Sequence, residues 1–68
     1  MSPDDLIVDH VKLSRPAQRA LAGARIMTFA DLANWRRQDV AALHGIGPAA
    51  LVVLDPALAV RGLDWITI

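Results

Sequence analysis

A Gly-Ile-Gly-Pro run at residues 45 to 48 lies between two apolar stretches, Val40 to Leu43 and Ala49 to Leu54, and constrains the fold more than any other part of the chain. Two glycines around one apolar side chain let a backbone reverse within a few residues, because glycine enters the left-handed region without steric cost. Pro48 suits the first position of a helix, where its fixed φ helps and its missing N–H had no intrahelical partner to lose. The run therefore reads as a tight hairpin that ends one helix and opens the next. A helix start leaves main-chain N–H groups unpaired, and such groups can hold an anion such as a phosphate. A plain interhelical turn would use the same residues, so the run is both a candidate site and a candidate connector.

The 68 residues give room for a single domain, 1–68, with one small core. Burial alone supplies only about 3–5 kcal/mol at that size. The sequence has no cysteine, which leaves neither a disulfide nor a thiolate metal site and points to a reducing, cytoplasmic setting. The opening Met1-Ser2-Pro3-Asp4-Asp5 is acidic where a secretion signal needs basic residues. No apolar run is long enough to span a bilayer.

Lysine plus arginine balance aspartate plus glutamate at 7 each, which argues against a strongly basic nucleic-acid binder. The charge is nevertheless uneven. Asp4, Asp5 and Asp9 make the start acidic, whereas Lys12, Arg15, Arg19, Arg25, Arg36 and Arg37 follow with only Asp31 opposing them. Solvated helix faces explain such a cluster as well; the cations form a binding surface only if they share an orientation with the hairpin.

Residues 1–5 read as a flexible tail. Leu6 to Leu13 alternates loosely and is rich in branched residues, so it is expected to be extended or a short strand. Ser14 caps a first helix that tolerates Pro16 in its opening turn, carries Ala17, Ala20, Leu21 and Ala24 on one face, and ends near Gly23 and Arg25. Thr28 and Asp31 form a capping box for a short second helix that points Phe29 and Leu32 inward, with Trp35 closing the turn. A third helix is expected over Gln38 to His44, with Asp39 in its first turn and Val40 and Leu43 as anchors.

After Pro48 the chain is apolar on every side of a helix from Ala49 to Leu54, which predicts a central, fully covered element. Pro56 lies too deep for a helix start, so a kink or break is expected, with a restart from Pro56 to Arg61 ended by Gly62. The apolar tail Leu63 to Ile68 has three open destinations: over the core, against Leu6 to Val11, or into a dimer contact. In a core this small, Trp35 and Trp65 are expected to pack rather than stack on a ligand.

This order of pieces, with Leu21, Ile26, Asp31-Leu32, Gly47, Leu51 and Arg61-Gly62-Leu63 at matching spacing, resembles the C-terminal domain of the bacterial RNA polymerase α subunit. The likeness covers Leu13 to Leu63. It implies an all-α fold, a compact bundle of four or five short helices over residues 13–63 that contains a helix-hairpin-helix motif, with short extended segments allowed at the ends. Members of that family touch the DNA minor groove and backbone through an arginine, an asparagine one turn later, and a Gly-x-Lys-Ser segment opening the last helix. Those positions fall here on Pro16, Arg19 and Gly47-Pro48-Ala49-Ala50. The glycine is kept, Arg15 lies beside the first position, and Arg19 stands one turn further on the same helix face.

The leading expectation is a non-catalytic module that binds duplex DNA weakly and without much sequence preference. Gly45, Ile46, Gly47, Ala49 and Ala50 would supply main-chain amides, and Arg15 and Arg19 positive charge. The competing expectation is a protein-interaction domain on the same scaffold, partnered by another protein or by self-association through the apolar C-terminal tail. No catalysis is expected: the aspartates are dispersed, and no serine or cysteine nucleophile stands near a histidine. No cofactor is expected, and no metal either, because His10 and His44 are far apart in sequence and there is no cysteine or glutamate to complete a site. His44 is expected to close the third helix.

Overall fold

The computed structural model describes residues 1–67; Ile68, the end of the expected apolar tail, lies outside the described residues. Among the described residues five helices follow in chain order: α1 (Ile7–His10), α2 (Arg15–Gly23), α3 (Phe29–Leu32), α4 (Arg37–Ala41) and α5 (Pro48–Ala59). There is no strand among the described residues, only an isolated antiparallel bridge between Leu6 and Thr28. The fold is an all-α bundle. No helix of the described residues is long and apolar enough to cross a membrane.

The extended reading of Leu6 to Leu13 is corrected. Extended pairing stops at Leu6, and a single helical turn follows in which the Val11 amide donates to the Ile7 carbonyl at 3.0 Å. Ile7 is buried and Val11 half-buried, an i, i+4 pair that the looser alternation had hidden. Burial of Ile7 outweighs the strand preference of branched residues, a bias of only about 1 kcal/mol. The reading of residues 1–5 as a flexible tail also changes. The Pro3 and Asp5 carbonyls accept from the Ala30 and Phe29 amides at 2.8 and 3.2 Å, while Thr28 Oγ1 serves Asp31 at 3.0 Å. The start of the chain therefore satisfies the open N–H groups of α3 that its own capping box does not reach.

Helix α2 begins as its sequence dictates, with Ser14 Oγ accepting from the Ala17 amide at 3.3 Å and Ala17 and Leu21 buried. Its end differs in detail. The left-handed residue that reverses the chain is Arg25, at φ 61, rather than Gly23. The Ile26 amide bonds back to the Leu21 carbonyl and the Arg25 amide to that of Ala22, the paired bonds of a Schellman end. Helix α3 carries the full Thr28–Asp31 capping box, and Phe29 and Leu32 are completely buried.

Helix α4 is shorter than the expected Gln38 to His44. Beyond Ala41 the chain tightens into i→i−3 bonds from Leu43 to Val40 and from Ile46 to Leu43, which swing the backbone toward α2. His44 consequently lies past the helix and makes no hydrogen bond among the described residues. Helix α5 is continuous through Pro56, so the expected break does not occur. The carbonyl that Pro56 cannot serve belongs to Val52, which is on the exposed side, where solvent can take the missing bond. Gly62, at φ 72, ends the helix, with the Leu63 amide bonding to the Leu58 carbonyl at 3.0 Å.

The core joins Ile7, Leu21, Ile26, Phe29, Leu32, Val40, Leu51, Leu54 and Leu58. Of the three destinations open to the tail, the described part takes the first. The Ile66 amide donates to the Trp35 carbonyl at 3.1 Å, and Trp65 Nε1 donates to Asp55 at 2.8 Å. Both tryptophans pack against the core. The radius of gyration, 10.5 Å, is close to the roughly 11 Å of a folded chain this long.

Candidate nucleic-acid interface

The hairpin before α5 docks on the first turn of α2. Gly45 has φ +104, and a side chain there would put its Cβ 2.4 Å from the Pro16 carbonyl oxygen, so position 45 needs glycine both for its backbone and for this approach. The docking brings the starts of α2 and α5 together. Lys12, Ser14 and Pro16 on one side, and Gly47, Ala49 and Ala50 on the other, line a shallow groove of ≈ 350 Å³. A second groove on the flank of the hairpin is lined by Pro16, Arg19, Ala20, His44 and Gly45.

The main-chain donors are fewer than the sequence suggested. The Ile46 amide is bonded to Leu43 and the Ala50 amide to the Gly47 carbonyl, both at 3.1 Å. The amides of Gly45, Gly47 and Ala49 have no partner among the described residues. Gly47 caps α5 without a side-chain bond, at φ −117 with open space around its α-carbon. The open amides therefore belong to the start of α5 and the flank of the turn, and not to its apex at Ile46, which is half-buried against the core.

The cations divide sharply. Arg37 is bound to Asp55 at 2.9 Å, Arg36 to Asp39 at 3.2 Å and Arg61 to Asp5 at 3.2 Å. The Arg37 hydrogen bond, together with that of Trp65, holds the Asp55 carboxyl below the usual carboxylate range. Arg36 and Arg37 line a different groove, beside Trp65 and Ile66, and form no rim around the hairpin. Lys12, Arg15, Arg19 and Arg25 have no ion-pair partner among the described residues, and all four lie on α2 or its flanks. Zero net charge thus conceals an uncompensated basic side.

Of the expected charged contacts, Arg19 lines a groove with the hairpin, whereas Arg15 is exposed one turn earlier and lines neither groove. Ser14 was not expected at the site; Lys12 entered only as one of the basic cluster, and His44 chiefly as the residue closing the third helix. Lys12 and Ser14 were within reach of sequence reasoning, since both stand at the start of α2, the end that docks on the turn. Among the described residues no group of acidic or histidine side chains is placed to hold a metal ion. The arrangement offers point charges and amide donors to an anion. Comparison with protein-family models, with curated proteins and with solved structures gives no match.

Proposed function

We propose that this chain is a non-catalytic module that binds the backbone of duplex DNA weakly, with little sequence preference, where the start of α2 meets the hairpin before α5. The observation that carries the reading is the placement of charge: of the cations without an ion-pair partner among the described residues, Lys12 and Arg19 line the grooves beside the open amides of Gly45, Gly47 and Ala49. Arg19, Lys12 and Arg15 supply attraction, and the amides give direction to a phosphate oxygen. The resemblance to the polymerase α C-terminal domain supports the same face. With Ala49 and Ala50 in place of lysine and serine, the expected contact is weak, and it reads the backbone more than the bases. Such a role fits a cytoplasmic protein.

Fluorescence anisotropy of a labelled generic duplex tests it. With three cations engaged, log affinity is expected to fall against log salt with a slope of about −2 to −3. Arg19→Glu should weaken binding at low salt. Gly47→Asp is the sharper variant: aspartate is a better helix cap than glycine by a few tenths of a kcal/mol, so thermal stability should hold or rise while affinity drops. Absence of binding at low salt, or unchanged binding in both variants, overturns the reading. One observation favours a protein-interaction role on the same scaffold, namely the uncharged outer face of α5.

A further inference from the structure

His44 lies at the candidate site yet has no part in the binding just described. After Ala41 the chain runs on through the bonds from Leu43 to Val40 and from Ile46 to Leu43, which leave His44 in the turn, exposed and without a hydrogen bond among the described residues. Its neighbour Gly45 is clamped on α2: a Cβ there would meet the Pro16 carbonyl oxygen at 2.4 Å and the Ala20 Cβ at 3.4 Å. The turn therefore holds a fixed place on the helix that carries Arg19. Pro16, Arg19, Ala20, His44 and Gly45 line a groove of ≈ 340 Å³, room for a tetrahedral oxyanion. The Gly45 amide has no partner among the described residues.

Pro16 and Gly45 also line the groove that holds Lys12, Ser14 and Ala49, so their contact is a ridge with a groove on either side. Each groove has one cation without an ion-pair partner among the described residues, Lys12 in one and Arg19 in the other. The second groove adds an imidazole. Its charged surroundings are all of one sign: α2 brings Arg19, with Arg15 one turn earlier, and among the described residues no carboxylate lines the groove. On α4, Asp39 is held by Arg36 at 3.2 Å, and on α5, Asp55 is held by Arg37 at 2.9 Å. An anion beside a histidine favours its protonated form, and by linkage the proton favours the anion equally.

We infer that protonated His44 and Arg19 together seat a second backbone phosphate, across the Pro16–Gly45 ridge from the one at Lys12, so that binding of the duplex takes up a proton. The inference rests on the DNA-backbone reading above and adds to it a residue and a pH dependence. Histidine is the side chain that ordinarily changes charge between about pH 5 and 8. Aspartate titrates lower, near pH 4, so a window from about pH 5.5 to 8 alters histidine charge and little else. Acidification across it turns a neutral ring into a third positive group at the grooves, and affinity rises as pH falls. His10 lies elsewhere, 3.8 Å from Asp5 and tilted against the Phe29 ring, and serves as the internal control.

Anisotropy of the labelled generic duplex with the full chain is the test, run at about pH 5.5 and 8 over a range of salt. At low salt, affinity should be about two- to fivefold higher at the acidic end, and the slope of log affinity against log salt should steepen there by about 0.9, the increment of one further phosphate contact. His44→Gln should remove both differences and leave binding at the alkaline end as it was, with the helical circular dichroism unchanged. His44→Lys should fix the charge, giving the acidic affinity at both pH values, a gain that loss of folding cannot produce. His10→Gln should keep the pH dependence intact. Binding that is equal at the two pH values, or a pH dependence that survives His44→Gln or is lost in His10→Gln, overturns the role of His44 and leaves the DNA reading standing. Absence of duplex binding at both pH values overturns the two together.

Discussion

Two residues carry the turns of this chain under opposite constraints. Gly45 combines a left-handed φ with a 2.4 Å approach of its would-be Cβ to the Pro16 carbonyl. Gly45→Ala should therefore destabilise the fold by more than about 2 kcal/mol, since backbone strain and a clash with main chain add. Thermal melts check this, and DNA affinity should fall with the loss of the α2–hairpin junction. Arg25 is the reverse case, a bulky residue at φ 61 where the Schellman end of α2 favours glycine. Arg25→Gly should raise stability by about 0.5–1 kcal/mol, which for a domain of this size is a rise of roughly 2–8 °C in Tm.

Among the elements, α5 departs most from local preference. Pro56 stands in its ninth position and leaves the Val52 carbonyl without its helical donor. The helix runs on because Leu54 and Leu58, on either side of the proline, are fully buried and fix its axis against the core. Pro56→Ala restores the donor and removes the ring, and it should stabilise the isolated domain by about 1–3 kcal/mol in denaturant unfolding. Helix α3 shows how short an element can be when its ends are served from outside. Its four residues hold because Asp5, Pro3 and Thr28 take up the amides of Phe29, Ala30 and Asp31, while the Asp31 carboxylate accepts from the Met27 and Thr28 amides just ahead of the helix.

Across the whole molecule, three carboxylates set the acid stability, and two of them, Asp5 and Asp55, link distant parts of the chain. The Ser2 amide, then Arg61 and His10, lower the pKa of Asp5; the Thr28 and Met27 amides lower that of Asp31; Arg37 and Trp65 lower that of Asp55. A carboxylate with a depressed folded-state pKa adds stability above its unfolded value, and that stability is lost as pH falls through the folded value. Tm should stay level above about pH 5 and decline below about pH 4, with the decline softened in Asp5→Asn and Asp31→Asn. The Asp5 link has a further consequence. It seats the Arg61 guanidinium, with only 3% of its side chain exposed, 3.9 Å over the Phe29 ring, so the N-terminal segment closes the core as well as capping α3.

Residue types and their spacing were enough to locate the caps at Ser14 and Thr28, the inward Phe29 and Leu32, the hairpin at Gly45 to Gly47 and the opening of α5 at Pro48. These depend on φ preference, hydrogen bonds within four residues and helical periodicity, all of which are local. Arg19 and the glycines of the candidate site were legible for the same reason. What tertiary structure decided was non-local. Burial of Ile7 made a helical turn of a strand-like segment, and docking against Leu54 and Leu58 carried a helix through Pro56. Aspartates brought from elsewhere in the chain took Arg37 and Arg61, while none of the described residues pairs with Lys12, Arg15 or Arg19. Which charges are neutralised, and which apolar face stays open, depends on neighbours supplied by folding, because ion pairing and burial act through space and not along the chain.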